Sequence, residues 1–179
     1  MELEERQDVF INAYSKDFPE YLTELEKTAL SEDVPIIRKG SQQMIRFLLA
    51  SKKPESILEI GTAVGFSSLL MAHYTDKNTK ITTIENYDKR IKEAKENFKK
   101  FDTDKKIILL EGDAAEVLKE LDGKYDFIFL DGPKGHFWNA EQHFHRRKGE
   151  VGLHLFGYDA RSGHAMQQAD SALDTDFLT

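Results

Sequence analysis

Four short apolar runs, Ser56–Ile60, Lys80–Glu85, Lys106–Leu110 and Tyr125–Leu130, alternate along the chain with segments whose apolar residues recur at helical spacing. The first such segment starts near Ala63 and carries Ser68 to Ala72. The second runs from Asp88 to Phe101 with Ile91, Ala94 and Phe98 on one side, and the third from Ala114 to Leu121. Upstream, Val9 to Leu30 shows the same spacing broken near Pro19, which predicts two short amphipathic helices. Val34-Pro35-Ile36-Ile37 reads as extended, and Ser41 as the cap of a helix bearing Met44, Ile45, Phe47, Leu48 and Leu49. Strands alternating with helices in this rhythm predict an α/β fold. Its sheet is parallel, helices cover both faces, and a ligand crevice lies at the carboxyl ends of the strands.

The polar residues fall at those ends. Glu59 and Gly61 close the first strand, Glu85 the second, Gly112 and Asp113 follow the third, and Asp131 ends the fourth. The junction Ile57 to Ser67, I-L-E-I-G-T-A-V-G-F-S, joins a strand to a helix through glycine. The unpaired N–H groups and positive dipole end of the helix there suit a polar or anionic ligand. A dinucleotide fingerprint would need glycine at Gly61, Ala63 and Phe66, so a nicotinamide-dependent oxidoreductase is disfavoured. Asp113, directly before Ala-Ala-Glu-Val, is equally suited to capping a helix.

Composition narrows the picture only a little. With 179 residues and 40% hydrophobic content the chain can bury one core. No apolar run is long enough to span a bilayer, and the polar, acidic start MELEERQDVF is unlike a signal peptide, so a cytoplasmic protein without a membrane partner is expected. The absence of cysteine excludes disulfides and thiolate chemistry. A net charge of −7 argues against broad electrostatic capture of nucleic acid, though not against a local basic patch.

The E-x-G-x-x-x-G pattern resembles motif I of class I S-adenosylmethionine (SAM) methyltransferases, and Val34 to His136 resembles the cation-dependent O-methyltransferases. That family includes catechol and caffeoyl-CoA O-methyltransferases and bacterial enzymes that methylate 5-hydroxyuridine in tRNA. The resemblance implies a Rossmann-like sheet with N-terminal helices and SAM as cofactor. It places Glu59 at the amino acid end of SAM, Gly61 and Ser67 around it, Ile37 in a backbone contact to the methionine part, and Glu85 on the ribose hydroxyls. Gly112, Asp113 and Ala114 would meet the adenine. In F-I-F-L-D-G-P-K the resemblance makes Asp131 a ligand of a divalent cation such as Mg2+ and a neighbour of the cofactor, and Lys134 the general base. The cation would lower the pKa of the acceptor hydroxyl while the lysine takes its proton.

Past Gly135 the character of the chain changes. The first 135 residues hold 12 isoleucines and the last 44 none, whereas five of the six histidines lie in those 44. The Asp-Asn pair that completes the family's metal site is missing. Asp159, after the weakly strand-like Val151–Phe156, is the nearest substitute. His143 and His145 lack a matching third ligand, and His145 to Lys148 reads as a solvated basic run. Either the tail is a divergent C-terminus or the reading frame slipped near His136, and the abruptness of the shift beside an intact motif favours the slip.

The expected organisation is thus N-terminal helices over residues 1–33, a cofactor-binding core over 34–135, and an atypical tail over 136–179 that leaves the C-terminal half of the fold incomplete. A fourth strand with an open edge would follow, favouring aggregation or a homodimer. The function expected is O-methylation of a small phenol or of 5-hydroxyuridine in tRNA. The alternative is a catalytically impaired SAM-binding protein without a full metal site.

Overall fold

The structure, a computed structural model, describes residues 18–121, 124–131 and the backbone of Leu153–Phe156. Its elements are α1 (Glu20–Ser31), α2 (Lys39–Lys52), β1 (Ser56–Ile60), α3 (Phe66–His73), β2 (Lys80–Glu85), α4 (Asp88–Phe101), β3 (Ile107–Glu111), α5 (Ala114–Glu120), β4 (Phe127–Leu130) and β5 (Leu153–Phe156). The strands form one sheet in the order β3-β2-β1-β4-β5, every neighbouring pair parallel. It is an α/β sheet of the kind the strand–helix alternation predicts.

Because strand side chains alternate between faces, each strand feeds two cores. Ile57, Ile81, Phe127 and Phe129 pack with Leu22 of α1, Ile45 and Leu49 of α2, and Leu69 and Leu70 of α3. On the other face Leu58, Ile60, Ile84, Ile128 and Leu130 pack with Ala114 and Leu118 of α5. β1 and β4 are buried along almost their whole length, as a central parallel pair covered on both faces must be.

Several boundaries differ from expectation. α1 begins directly after Pro19, whose fixed φ suits a helix entrance. α2 starts at Lys39 rather than after Ser41, with Lys39 paired to Glu26 of α1 and the Gln42 N–H bonded to the Arg38 carbonyl at 3.0 Å. α3 starts at Phe66 rather than near Ala63, since Gly61, Ala63 and Gly65 all adopt positive φ and hold residues 61–65 as a loop.

The larger correction concerns the open edge expected of the fourth strand. β4 is interior: β5 pairs with it in register from Phe127↔Leu153 to Leu130↔Phe156. The alternating L-H-L-F of residues 153–156, surrounded by polar sequence, is the one stretch after Gly135 with strand periodicity, and it fills that edge. The rest of the tail, with Lys134, His143, His145 and Asp159, lies outside the described residues, as does the N-terminal stretch before Phe18.

Candidate functional site

All four strand ends expected to carry chemistry meet at one edge. The Gly61 N–H bonds to the Ile84 carbonyl at 3.0 Å, the Gly112 N–H to the Glu85 carbonyl at 2.9 Å, and the Asp131 N–H to the Ile60 carbonyl at 2.9 Å, so backbone links run from one strand end to the next. Within this edge the loop 61–65 turns into α3, whose first N–H groups have no intrahelical partner.

Glu85, half-buried at the end of β2, organises the loop. One carboxylate oxygen accepts the Ala63 N–H at 2.8 Å, and the other accepts the N–H groups of Asn86 and Tyr87, each at 3.0 Å. A carboxylate has about four lone-pair positions and three are taken here, so one remains for a ligand hydroxyl and a second would share an acceptor already in use.

Glu59, which the resemblance assigns to the amino acid end of SAM, lies on the inner side of this edge. It is wholly buried, and its carboxylate accepts from the hydroxyls of Ser67, Ser68 and Thr83, the last at 2.6 Å. Thr83 in turn shares a 2.6 Å hydrogen bond with Thr62. Burial pushes the Glu59 carboxyl up from 4.5 to about 7; the three hydroxyls oppose the rise and the charge of Asp131 adds to it. This side chain therefore ties β1, β2, the loop and α3 together from inside, and its carboxylate is turned away from solvent. Ser67, also buried, spends its hydroxyl on the same group.

Asp113 behaves as the N-cap of α5, accepting the Ala115 N–H at 2.9 Å, while Ala114 is buried in the second core. Ile37 is buried and its carbonyl accepts from the Gln42 side-chain amide at 2.9 Å, with the same amide reaching Glu26 at 2.8 Å. Asp131, half-buried at the end of β4, lies close enough to Glu59 to act on its charge. Among the described residues no three histidine, cysteine, aspartate or glutamate side chains gather as a metal site, so Asp131 alone of the expected cation ligands is seen.

Sequence reasoning passed over Thr62, Ser68 and Thr83, and also Asn97 and Phe98 of α4, which touch the loop: the Asn97 amide donates to the Val64 carbonyl at 2.8 Å. Two signals were available. Thr83 is a polar residue facing inward in an apolar strand, two positions before Glu85, and Asn97 sits beside the apolar stripe of α4.

Comparison with known proteins agrees with this layout. The sequence pattern of the O-methyltransferase family matches residues 12–152. Caffeoyl-CoA O-methyltransferase of Stellaria longipes is 29% identical over 133 residues, 69% of this chain and 54% of that protein. Catechol O-methyltransferase of Niastella koreensis is 28% identical over 96 residues, 51% of this chain and 43% of that protein. The crystal structure of an SAH-bound methyltransferase from Podospora anserina superposes with a TM-score of 0.78 at 27% identity, covering 86% of this chain and 68% of that one. The chain thus spans about half the length of the curated relatives it matches.

Proposed function

This chain belongs to the O-methyltransferase family, and from that premise we propose that it binds SAM at the carboxyl edge of its sheet and methylates a hydroxyl group. The observation that carries the reading is the half-buried Glu85 carboxylate, locked to the Ala63 N–H of the glycine loop at 2.8 Å. It sets a hydrogen-bond acceptor for sugar hydroxyls beside the start of α3, the combination a nucleoside with a polar tail requires.

When bound, the cofactor supplies a methyl group on a positively charged sulfur. The residues of this chain hold and orient. Glu85 accepts from the ribose hydroxyls, the loop around Gly61 lets the ligand approach the main chain, and the Gly112-Asp113-Ala114 turn borders the base. Glu59 and Ser67 act as positioning residues from beneath the loop, and Ile37 borders the methionine part. Asp131 presents a carboxylate at the reacting end, and Lys134 is proposed as the base that removes the acceptor proton. Fixing both reactants in line provides much of the rate.

A divalent cation belongs to the proposal through Asp131. Among the described residues no three acidic, histidine or cysteine side chains gather to hold a hard cation, so no step is routed through it. The acceptor is a small phenol or 5-hydroxyuridine in tRNA. A second reading, a SAM-binding protein with impaired catalysis, is favoured by the missing Asp-Asn pair in the sequence after Gly135.

The test has two stages. S-adenosylhomocysteine should raise the melting temperature of the wild type, and Glu85→Ala should abolish that rise, since losing charge-assisted hydrogen bonds weakens binding by roughly tenfold or more. Methyl transfer to catechol or to hydroxyuridine-containing tRNA with magnesium, lost in Lys134→Ala, then separates the enzyme from the binding protein. A wild type whose melt ignores the ligand would defeat the proposal.

A further inference from the structure

The second glycine of the motif is shaped by a neighbouring helix. Gly65 sits at φ 83°, and a Cβ placed on it would lie 2.5 Å from one carbon of the Phe98 ring and 2.8 Å from another. The ring of α4 therefore occupies the space where a side chain would be. The preceding peptide group is held at both of its ends. Its carbonyl, that of Val64, accepts from the Asn97 amide at 2.8 Å, and its N–H, that of Gly65, donates to the Thr62 carbonyl at 2.8 Å. α3 starts at the next residue, so the plane of this one peptide sets the direction in which the unpaired N–H groups of Phe66, Ser67 and Ser68 emerge.

We propose that α4 clamps the cofactor loop, with Asn97 the positioning residue and Phe98 the surface against which Gly65 is pressed. The helix is well suited to this. It is 14 residues long, anchored in the core through Ile91 and Ala94, and it begins at Asp88, immediately after the Asn86 and Tyr87 N–H groups that hold Glu85. A single rigid element thereby fixes the two parts of the crevice relative to each other: the carboxylate for the sugar at its start and the loop peptide two to three turns further on. In this role Asn97 acts through the loop, by way of the Val64 carbonyl.

This inference rests on the proposed SAM site, and its test keeps the two apart. Asn97→Ala removes the amide from a half-exposed position while keeping a strong helix former. Hydrogen exchange of the peptide containing residues 61–66, with no ligand present, should speed up by roughly tenfold, as expected for one lost hydrogen bond. Peptides from β1 and β4 should be unchanged. Titration calorimetry should show S-adenosylhomocysteine binding weakened by a similar factor, and KM for SAM should rise while kcat at saturating SAM stays level. Phe98→Leu should loosen the same loop. Unchanged exchange in 61–66 for both variants would overturn the clamp, whatever the ligand does. Faster exchange with undiminished affinity would also overturn it as a positioning device. A wild type that binds no S-adenosylhomocysteine would defeat the site reading, and loop exchange would still decide the clamp.

Discussion

Replacing Glu59 by glutamine should change how stability depends on pH far more than it changes stability itself. The Glu59 carboxyl is wholly buried and titrates near 7 in the folded chain, against an ordinary value of 4.5, because burial disfavours its charged form. Its folded-state pKa being raised, the folded chain binds the proton more tightly than the unfolded chain does. The stability this confers is complete below about pH 4.5 and is lost as pH rises to about 7, beyond which nothing further changes. At about 1.4 kcal/mol per pH unit that window is worth roughly 3 kcal/mol. Glutamine imitates the protonated acid: the hydroxyls of Ser67, Ser68 and Thr83 can each donate or accept and so can turn to serve an amide. Urea unfolding of wild type and Glu59→Gln at half-unit steps from pH 5 to 8 measures the difference. The variant should be close to wild type at pH 5 and more stable than it at pH 8, by about 2–3 kcal/mol. A difference that stays constant across this range would refute the reasoning, since it would mean that Glu59 carries no proton within it. Glu59→Ala is the contrasting variant. It leaves three buried hydroxyls without their acceptor and should be destabilised at every pH by roughly 2 kcal/mol or more.

Gly65→Ala should lower stability by about 1–3 kcal/mol, because the new methyl meets the Phe98 ring and the backbone sits at φ 83°; thermal unfolding should show partial recovery in Gly65→Ala with Phe98→Leu, and no recovery would argue against that contact. Lys106 is 4% exposed and donates to the carbonyls of Ala72 at 2.6 Å and Thr75 at 2.8 Å, at the end of α3, with burial holding its pKa below the ordinary lysine value. Lys106→Met should therefore cost about 1–2 kcal/mol in urea unfolding, by leaving two half-buried carbonyls without their donor. If a divalent cation takes part through Asp131, EDTA should suppress methyl transfer while S-adenosylhomocysteine binding, followed calorimetrically, stays within about twofold, the ring of contacts from Glu85 to Gly61 needing no metal.

What the sequence made legible was the part governed by short-range periodicity. β1, β2 and α4 lie where the apolar spacing puts them, and the strand ends assemble because parallel connections bring every carboxyl end to one side. Less legible was anything set by the direction in which a side chain points. Glu59 and Glu85 are both acidic residues at strand ends, one turned into the core and the other toward the loop. Only the inward hydroxyls at Ser67, Ser68 and Thr83 separate the two cases, and those are long-range partners that spacing does not reveal. The extent of the loop before α3 escaped for a related reason: Ala63 takes φ 47°, a conformation its residue type does not announce. β5 was legible only as the weakly strand-like Val151–Phe156, because four alternating residues in a polar tail carry little weight until β4 provides an edge for them.

The position of β5 bears on what the tail does. Composition and the missing Asp-Asn pair set residues 136–179 apart from the core, yet the family pattern extends to residue 152 and the next four-residue strand completes the pairing of β4. Support for the fold and provision of catalytic groups are therefore separable properties of this segment. A strand needs only alternation and an open ladder, which many sequences satisfy, whereas a metal site needs particular oxygen ligands at particular places. The edge from Glu59 to Asp131 is closed by hydrogen bonds among described residues, and the tail's strand β5 flanks it through β4. Cofactor affinity should accordingly survive substitutions beyond β5 that abolish turnover, and a chain cut after Phe156 that still binds S-adenosylhomocysteine would locate the binding function wholly on the near side of that cut.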